Sequence, residues 1–136
     1  HNVECVERIS KKVRIQSDWS RTLNVLKYSV ESNMLTKTGM MVGLGENDDE
    51  VYSTMDQVRE IGVEIFNIGQ YLQPTKNNLN VQRYVEPVTF ENYKSYGLEI
   101  GFKVVESGPL VRSSYHADEQ ARKYSKVSQV WQYCMN

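Results

Sequence analysis

The stretch Thr36-Lys37-Thr38-Gly39-Met40-Met41-Val42-Gly43-Leu44-Gly45-Glu46, followed by Asn47-Asp48-Asp49-Glu50 and closing on Gly62-Val63-Glu64-Ile65-Phe66-Asn67-Ile68-Gly69, decides the fold. Thr36 to Leu44 is short, glycine-punctuated and apolar toward its end, the pattern of a buried strand running into a loop. Gly45 to Glu50 supplies a turn and then an acidic first helical turn, favoured by the positive end of the helix dipole. Val51, Met55, Val58 and Ile61 fall on one helical face, Gly62 stops the helix, and Val63 to Ile68 is a second short strand. Strand, helix, strand predicts an α/β fold with a parallel sheet, open or closed into a barrel.

Upstream, Ser17-Asp18 can cap a helix whose Trp19, Leu23, Val25, Leu26 and Val30 recur at helical spacing, and Ser32-Asn33 ends it. His1 to Val6 reads as the end of a strand, and Lys11, Lys12 and Arg14 as a solvated connection. Downstream, Gln73 to Pro87 is a long polar loop, of a length that is usually functional or disordered. Thr89 is expected to cap a helix with Phe90, Tyr93 and Leu98 inward, stopped by Gly101, and Phe102 to Val105 is a brief strand. The tail is charged and then ends in Val130, Trp131 and Tyr133, a helical pattern. In parallel α/β folds ligands gather at the carboxyl ends of strands, so His1–Glu4, Gly43–Glu46 and Gln70–Pro74 are expected to converge on one rim.

With 136 residues, 40% hydrophobic and 24% charged, the composition is that of a globular domain able to bury a core. A net charge of −1 argues against nucleic acid or an anionic membrane as main partner. No apolar run approaches the ~20 residues that span a bilayer. A chain starting at His1 with no initiator Met reads as trimmed or incomplete, so no targeting segment is visible.

Arg112-Ser113-Ser114-Tyr115-His116-Ala117, introduced by Ser107-Gly108-Pro109, packs hydrogen-bonding and ligating groups into one turn, as a polar surface loop or a site would. Gly39 to Glu46 is not a phosphate loop, since no Gly-Lys-Ser/Thr follows. Lys37 can meet a ligand carboxylate or point outward, and Gln70 and Gln73 bracket Tyr71-Leu72 at a strand end. Cys5 and Cys134 stand far apart without zinc-type spacing and read as unrelated thiols. Ser113, His116 and Asp118 lack the nucleophile elbow of a serine hydrolase.

Thr36 to Glu46, Gly69-Gln70-Tyr71-Leu72-Gln73-Pro74 and Gly108 to Ala117, together with His1-Asn2-Val3-Glu4 and Arg83-Tyr84-Val85, resemble lipoyl synthase, a family of radical S-adenosylmethionine enzymes. The likeness runs from His1 to about Ala121. It implies the C-terminal half of a partial (β/α)6 barrel with a C-terminal extension: residues 1–106 with the long loop 73–87, an active-site segment 107–121, and a tail 122–136. The implied activity is insertion of two sulfur atoms into a protein-bound octanoyl chain. It would use S-adenosylmethionine and two [4Fe-4S] clusters, one cleaving S-adenosylmethionine and an auxiliary one giving up sulfur.

Carried over by motif, Asn2 and Glu4 resemble S-adenosylmethionine contacts, and Arg14 and Lys37 are candidates for its carboxylate. Gly39 and Gly43 belong to a glycine-rich strand motif lining the adenosyl part, and Gln70 and Leu72 lie at the adenine end. Ser113 or Ser114, with Ser113 favoured, would ligate the auxiliary cluster, and Arg112 would hold the region near deoxyadenosine and substrate. The implied partners are an octanoylated lipoyl carrier domain or H protein and a reductant such as ferredoxin or flavodoxin. The implied compartment is the mitochondrial matrix, with the plastid or bacterial cytoplasm as alternatives. The family's CxxxCxxC and its second cysteine triplet are absent from this sequence. Cluster assembly depends on several thiolates, so the expectation is a chain inactive alone, or else a non-catalytic homologue that binds a lipoyl carrier domain.

Overall fold

In a computed structural model the described residues are 1–113 and 119; Ser114, His116, Cys134 and the tail 122–136 lie outside them. The elements run α1 (Glu7–Val13), α2 (Trp19–Glu31), β1 (Lys37–Val42), α3 (Asp48–Ile61), β2 (Ile65–Gln70), α4 (Pro87–Glu99) and β3 (Val104–Gly108). The strands form a parallel sheet in the order β1-β2-β3, so the α/β reading and the strand-helix-strand unit both hold.

Local chemistry explains most boundaries. The Asp18 carboxylate accepts the Arg21 amide and starts α2. Asn47 and Glu50 form a reciprocal capping box at α3, and Val51, Met55 and Val58 below it are fully buried. These side chains join Val42, Phe66, Ile68, Val105, Phe90 and Tyr93 in one core between the helices and one face of the sheet. Ile65 is just as buried but stands outside that cluster, because alternate residues of β2 face the other way. The face opposite that core carries Lys37, Gly39 and Met41 of β1, Ile65, Asn67 and Gly69 of β2, and Val104, Glu106 and Gly108 of β3.

Four sequence expectations are corrected. The basic connection is the two-turn helix α1, whose interior contribution is little more than Ile9, too few buried positions to show a period. In α2, Val25 is 40% exposed and lies off the inward face. Helix α4 is not capped by Thr89: Pro87 opens it, tolerated at a first-turn position where no amide bond is lost. Its inward face is Phe90, Tyr93 and Gly97, which places Leu98 a further 100° round, 46% exposed.

Candidate functional site

Residues 1–6 run beside β1, as the strand-end reading expects. The Val3 amide donates to the Thr38 hydroxyl at 3.1 Å, the Glu4 amide to the Gly39 carbonyl at 3.1 Å, and the Met41 amide to the Glu4 carbonyl at 2.8 Å. This pairing holds Glu4 at φ 70°, a left-handed conformation that non-glycine residues seldom adopt and that persists where the surroundings over-determine it.

At the other end of the sheet the chain leaves β3, turns through Pro109-Leu110 and folds back across β2. The Val111 amide donates to the Gly108 carbonyl at 3.2 Å. The crossing is tight enough that a Cβ on Gly69 would collide with the Val111 carbonyl oxygen. The Asn67 side-chain amide reaches the Arg112 carbonyl at 3.4 Å. Between this segment and residues 2–4 lies a cavity of about 190 Å³ on the sheet face that none of the helices α1–α4 covers.

The long loop is pinned against the carboxyl ends of β1 and β2. Gln70 holds it with both ends of its side-chain amide: Nε2 donates to the Arg83 carbonyl at 2.9 Å, and also to the neighbouring Tyr71 carbonyl at 3.0 Å, and Oε1 accepts the Val85 amide at 2.9 Å. Gly43, at φ 100°, accepts the Gln82 amide at 2.8 Å, and a Cβ there would strike both the Arg83 carbonyl and Gln70 Nε2. Glu46 is buried and closes its own turn, its carboxylate accepting the amides of Gly43 at 2.6 Å and Leu44 at 3.0 Å. Asp48 accepts from Arg83 at 3.0 Å and from the Tyr93 hydroxyl, which ties loop, α3 and α4 together. Burial raises the Asp48 pKa, but those two hydrogen bonds and the Arg83 charge outweigh it and hold the carboxyl below its ordinary range. Burial, helped by the hydrogen bond to Asp48, pushes the Tyr93 phenol well up.

Of the residues singled out in sequence, the cavity gathers Asn2, Glu4, Gly39, Gln70, Leu72, Arg112 and Ser113. The strand-end clusters at residues 1–4 and 70–72 therefore meet, and the polar run after β3 meets them. Arg112 is exposed and folds Nη1 back onto the Val111 carbonyl at 2.8 Å. Gly43 stands behind the cavity under the loop and does not line it. Arg14 lines a second cavity of about 390 Å³, with Asn2 and Glu4 forming the wall common to both. Lys37 lines neither. Its ammonium is buried without a hydrogen-bond partner, so the outward-pointing alternative does not hold. Burial lowers its pKa, against the pull of Glu106.

Sequence reasoning passed over Asn67 and held Met40, Met41 and Val111 only as members of their motifs; all four line the cavity. Only Asn67 carried a signal, a polar residue at the centre of an otherwise apolar strand.

The donor set for an iron–sulfur cluster is missing from the described residues, which hold no group of three or more His, Cys, Asp or Glu placed for a metal. Cys5 is packed in the core, and burial, with the nearby Glu4 and Glu46 charges, pushes its thiol up to about 12, the opposite of a thiolate ligand. No described helix is long and apolar enough to cross a membrane.

No protein-family profile matches the chain. It is 51% identical over 120 residues to a lipoyl synthase of Flavobacterium johnsoniae, 55% over 122 residues to one of Rubrobacter xylanophilus, and 54% over 120 residues to one of Francisella tularensis subsp. novicida. These alignments cover 88%, 88% and 86% of this chain but 42%, 38% and 37% of the relatives, so the chain spans about two fifths of the length of the curated proteins it matches.

Proposed function

Because this chain is homologous to part of lipoyl synthase, we propose that it forms the S-adenosylmethionine-binding and acyl-facing part of such an enzyme. The complete enzyme inserts two sulfur atoms into a protein-bound octanoyl chain through radical S-adenosylmethionine chemistry. One observation carries the reading. Four stretches far apart in sequence, at Asn2–Glu4, Gly39–Met41, Gln70–Leu72 and Arg112–Ser113, wall a single cavity beside a parallel sheet. Such a sheet would be a section of a partial (β/α)6 barrel, binding at the carboxyl ends of its strands.

In this reading Asn2 and Glu4 take polar groups of S-adenosylmethionine, and Arg14, just behind their wall, takes its carboxylate, with Lys37 as the other cation near by. Gly39 gives the adenosyl part close access to the sheet, and Gly43 holds the turn beside it. Gln70 acts through the loop that its amide holds, leaving its backbone and the Leu72 side chain to face the adenine. Met40, Met41, Leu72 and Val111 provide apolar surface for a hydrocarbon chain, and Arg112 orients the ligand from the opposite wall. When bound with its cluster, S-adenosylmethionine supplies the radical that activates a C–H bond. The described residues provide no cysteine set for either cluster, so their part is to bind, orient and exclude water. Ser113 or Ser114 would add a hydroxyl ligand to an auxiliary cluster held mainly by other parts of the protein.

The partners that follow are an octanoylated carrier domain or H protein and a ferredoxin- or flavodoxin-type reductant. The bacterial relatives favour a bacterial cytoplasm over a mitochondrial matrix.

The test compares this 136-residue chain with a longer protein carrying both cysteine triplets, each reconstituted with iron and sulfide and given octanoyl peptide, S-adenosylmethionine and reductant. Lipoyl peptide, read by mass, is expected from the longer protein and not from this chain. Turnover by this chain alone would sink the division of labour proposed here. S-adenosylmethionine binding without turnover by the longer protein would favour a non-catalytic carrier-binding homologue.

A further inference from the structure

The chain has a net charge of −1, but the charge is unevenly spread. Residues 7–21 hold five basic side chains and two acidic ones, while the rest of the chain holds eleven and fifteen. Within that stretch Arg8 is engaged by Glu50, whose carboxylate its guanidinium meets at 2.9 and 2.8 Å, and the Asp18 carboxylate caps α2. Lys11, Lys12 and Arg14 are exposed, and among the described residues no ion pair joins them to a carboxylate. Directly after them stands Ile15, 92% exposed, the most exposed large hydrophobic side chain of the described residues.

This turn is held in place. Arg8 also donates to the Gly45 carbonyl at 3.0 Å, which fastens α1 to the loop before α3. The Arg14 amide donates to the Ser10 carbonyl at 2.9 Å, and the Ser17 amide to the Arg14 carbonyl at 2.9 Å. Ile9 and Ser10 take the inward side of α1, which leaves Lys11 and Lys12 outward beside Ile15. An apolar tip among unpaired cations, on a turn already ordered, loses little freedom when a partner covers it. Three cations are too few for nucleic acid, whose binding rests on neutralising many phosphates. An anionic membrane would be repelled by the excess of carboxylates in the rest of the chain. The face suits a protein with a local acidic patch.

Its position selects which protein. Val13, Arg14 and Gln16 line the second cavity, which shares its Asn2–Glu4 wall with the first. A protein seated on Lys11, Lys12 and Ile15 therefore stands at the rim of the site that an acyl chain must enter. We propose, resting on the function proposed above, that this face docks the protein that carries the octanoyl group, through an acidic patch beside the acylated lysine. Lys11 and Lys12 meet that patch and speed encounter, and Ile15 supplies the apolar part of the contact.

The test uses the longer, reconstituted protein and two substrates with the same acyl chain: octanoylated H protein, and a short octanoyl-lysine peptide without acidic residues. Lys11→Glu combined with Lys12→Glu should raise the KM for the H protein about ten-fold or more, leaving its kcat and both constants for the peptide unchanged. In the parent protein that KM should rise with salt, and the charge reversal should remove the dependence. Lys11→Arg with Lys12→Arg should behave as the parent. Ile15→Ser should raise the same KM about three- to ten-fold and keep the salt dependence. An unchanged H-protein KM in the charge-reversed variant overturns the docking face and leaves the proposed function standing. A slower rate with flavodoxin but not with dithionite, at that unchanged KM, would assign the face to the reductant instead. A fall in peptide turnover together with a lower melting point would mean that the rest of the longer protein covers this face, which also overturns it. If the parent turns over neither substrate, the function falls and the docking face with it.

Discussion

Replacing Gln70 by leucine separates two roles that the sequence motif alone leaves joined. The volumes are similar, so the substitution leaves little cavity and acts through hydrogen bonds. It strands the Val85 amide, which is buried and donates to Gln70 Oε1 at 2.9 Å, at a cost of about 1–3 kcal/mol. The carbonyls of Tyr71 and Arg83 each lose a donor at 3.0 and 2.9 Å, worth about 0.5–1.5 kcal/mol apiece. Burial of the leucine recovers about 1–2 kcal/mol, which leaves a net loss of about 2–3 kcal/mol at the middle of these ranges. Against a total stability of about 5–15 kcal/mol that is readily measured. The urea midpoint should fall with the slope unchanged, and trypsin should cut after Lys76 and Arg83 faster than in the parent protein, because Gln70 is a main tether of that loop. Gln70→Glu keeps the acceptor for Val85 but sets a carboxylate against two carbonyls, and should be no more stable than the leucine variant. An unchanged midpoint and unchanged loop protection in Gln70→Leu, with weakened S-adenosylmethionine binding, would refute this reasoning and show the amide serving the ligand.

Gly69→Ala drives a methyl into the Val111 carbonyl and must lift residues 109–113; we expect a loss of about 1–3 kcal/mol by urea titration and a larger proportional loss of ligand affinity. Asp48 has a folded pKa below its ordinary 3.8, so it binds fewer protons folded than unfolded. Its contribution is present above that ordinary value and is lost as pH falls through the lower folded value, and Asp48→Asn should flatten the acid limb of a melting-point-versus-pH curve in that window. Cys5, buried and with its thiol pushed up to about 12, should resist iodoacetamide at pH 8 until the protein is unfolded; rapid labelling of the native protein at Cys5 would contradict its placement in the core.

How much of this was legible in the sequence depended on how local the cause was. The helix Asp48–Ile61 has its acidic first turn, its apolar face and its stopping Gly62 within about fifteen consecutive residues, and all were readable. The helix Glu7–Val13 has no side-chain cap and little buried surface, so nothing in the sequence announces it. Thr89 is a fair cap candidate by type, but Pro87 two positions earlier was already in helical geometry. Convergence of the strand-end motifs was foreseeable because parallel strands end on one side. The duties of Gln70 and Gly43 were not, since their partners sit on an irregular loop whose path no periodicity encodes. For Lys37 the sequence left two possibilities level, and only the burial of its ammonium speaks against the outward one.

The cavity's two walls, at Asn2–Glu4 and Val111–Ser113, come from nearly opposite ends of the described chain; the first hangs on β1 by the backbone bonds of Glu4, the second on the end of β3 by the Val111 amide and on β2 by the Asn67 side chain. Amide hydrogens at Glu4 and Val111 should therefore exchange through partial openings that leave the Lys37–Val42 and Ile65–Gln70 ladder intact. A molecule that touches both walls would slow exchange at both together, joining the two termini of the sheet into one cooperative unit without altering its core.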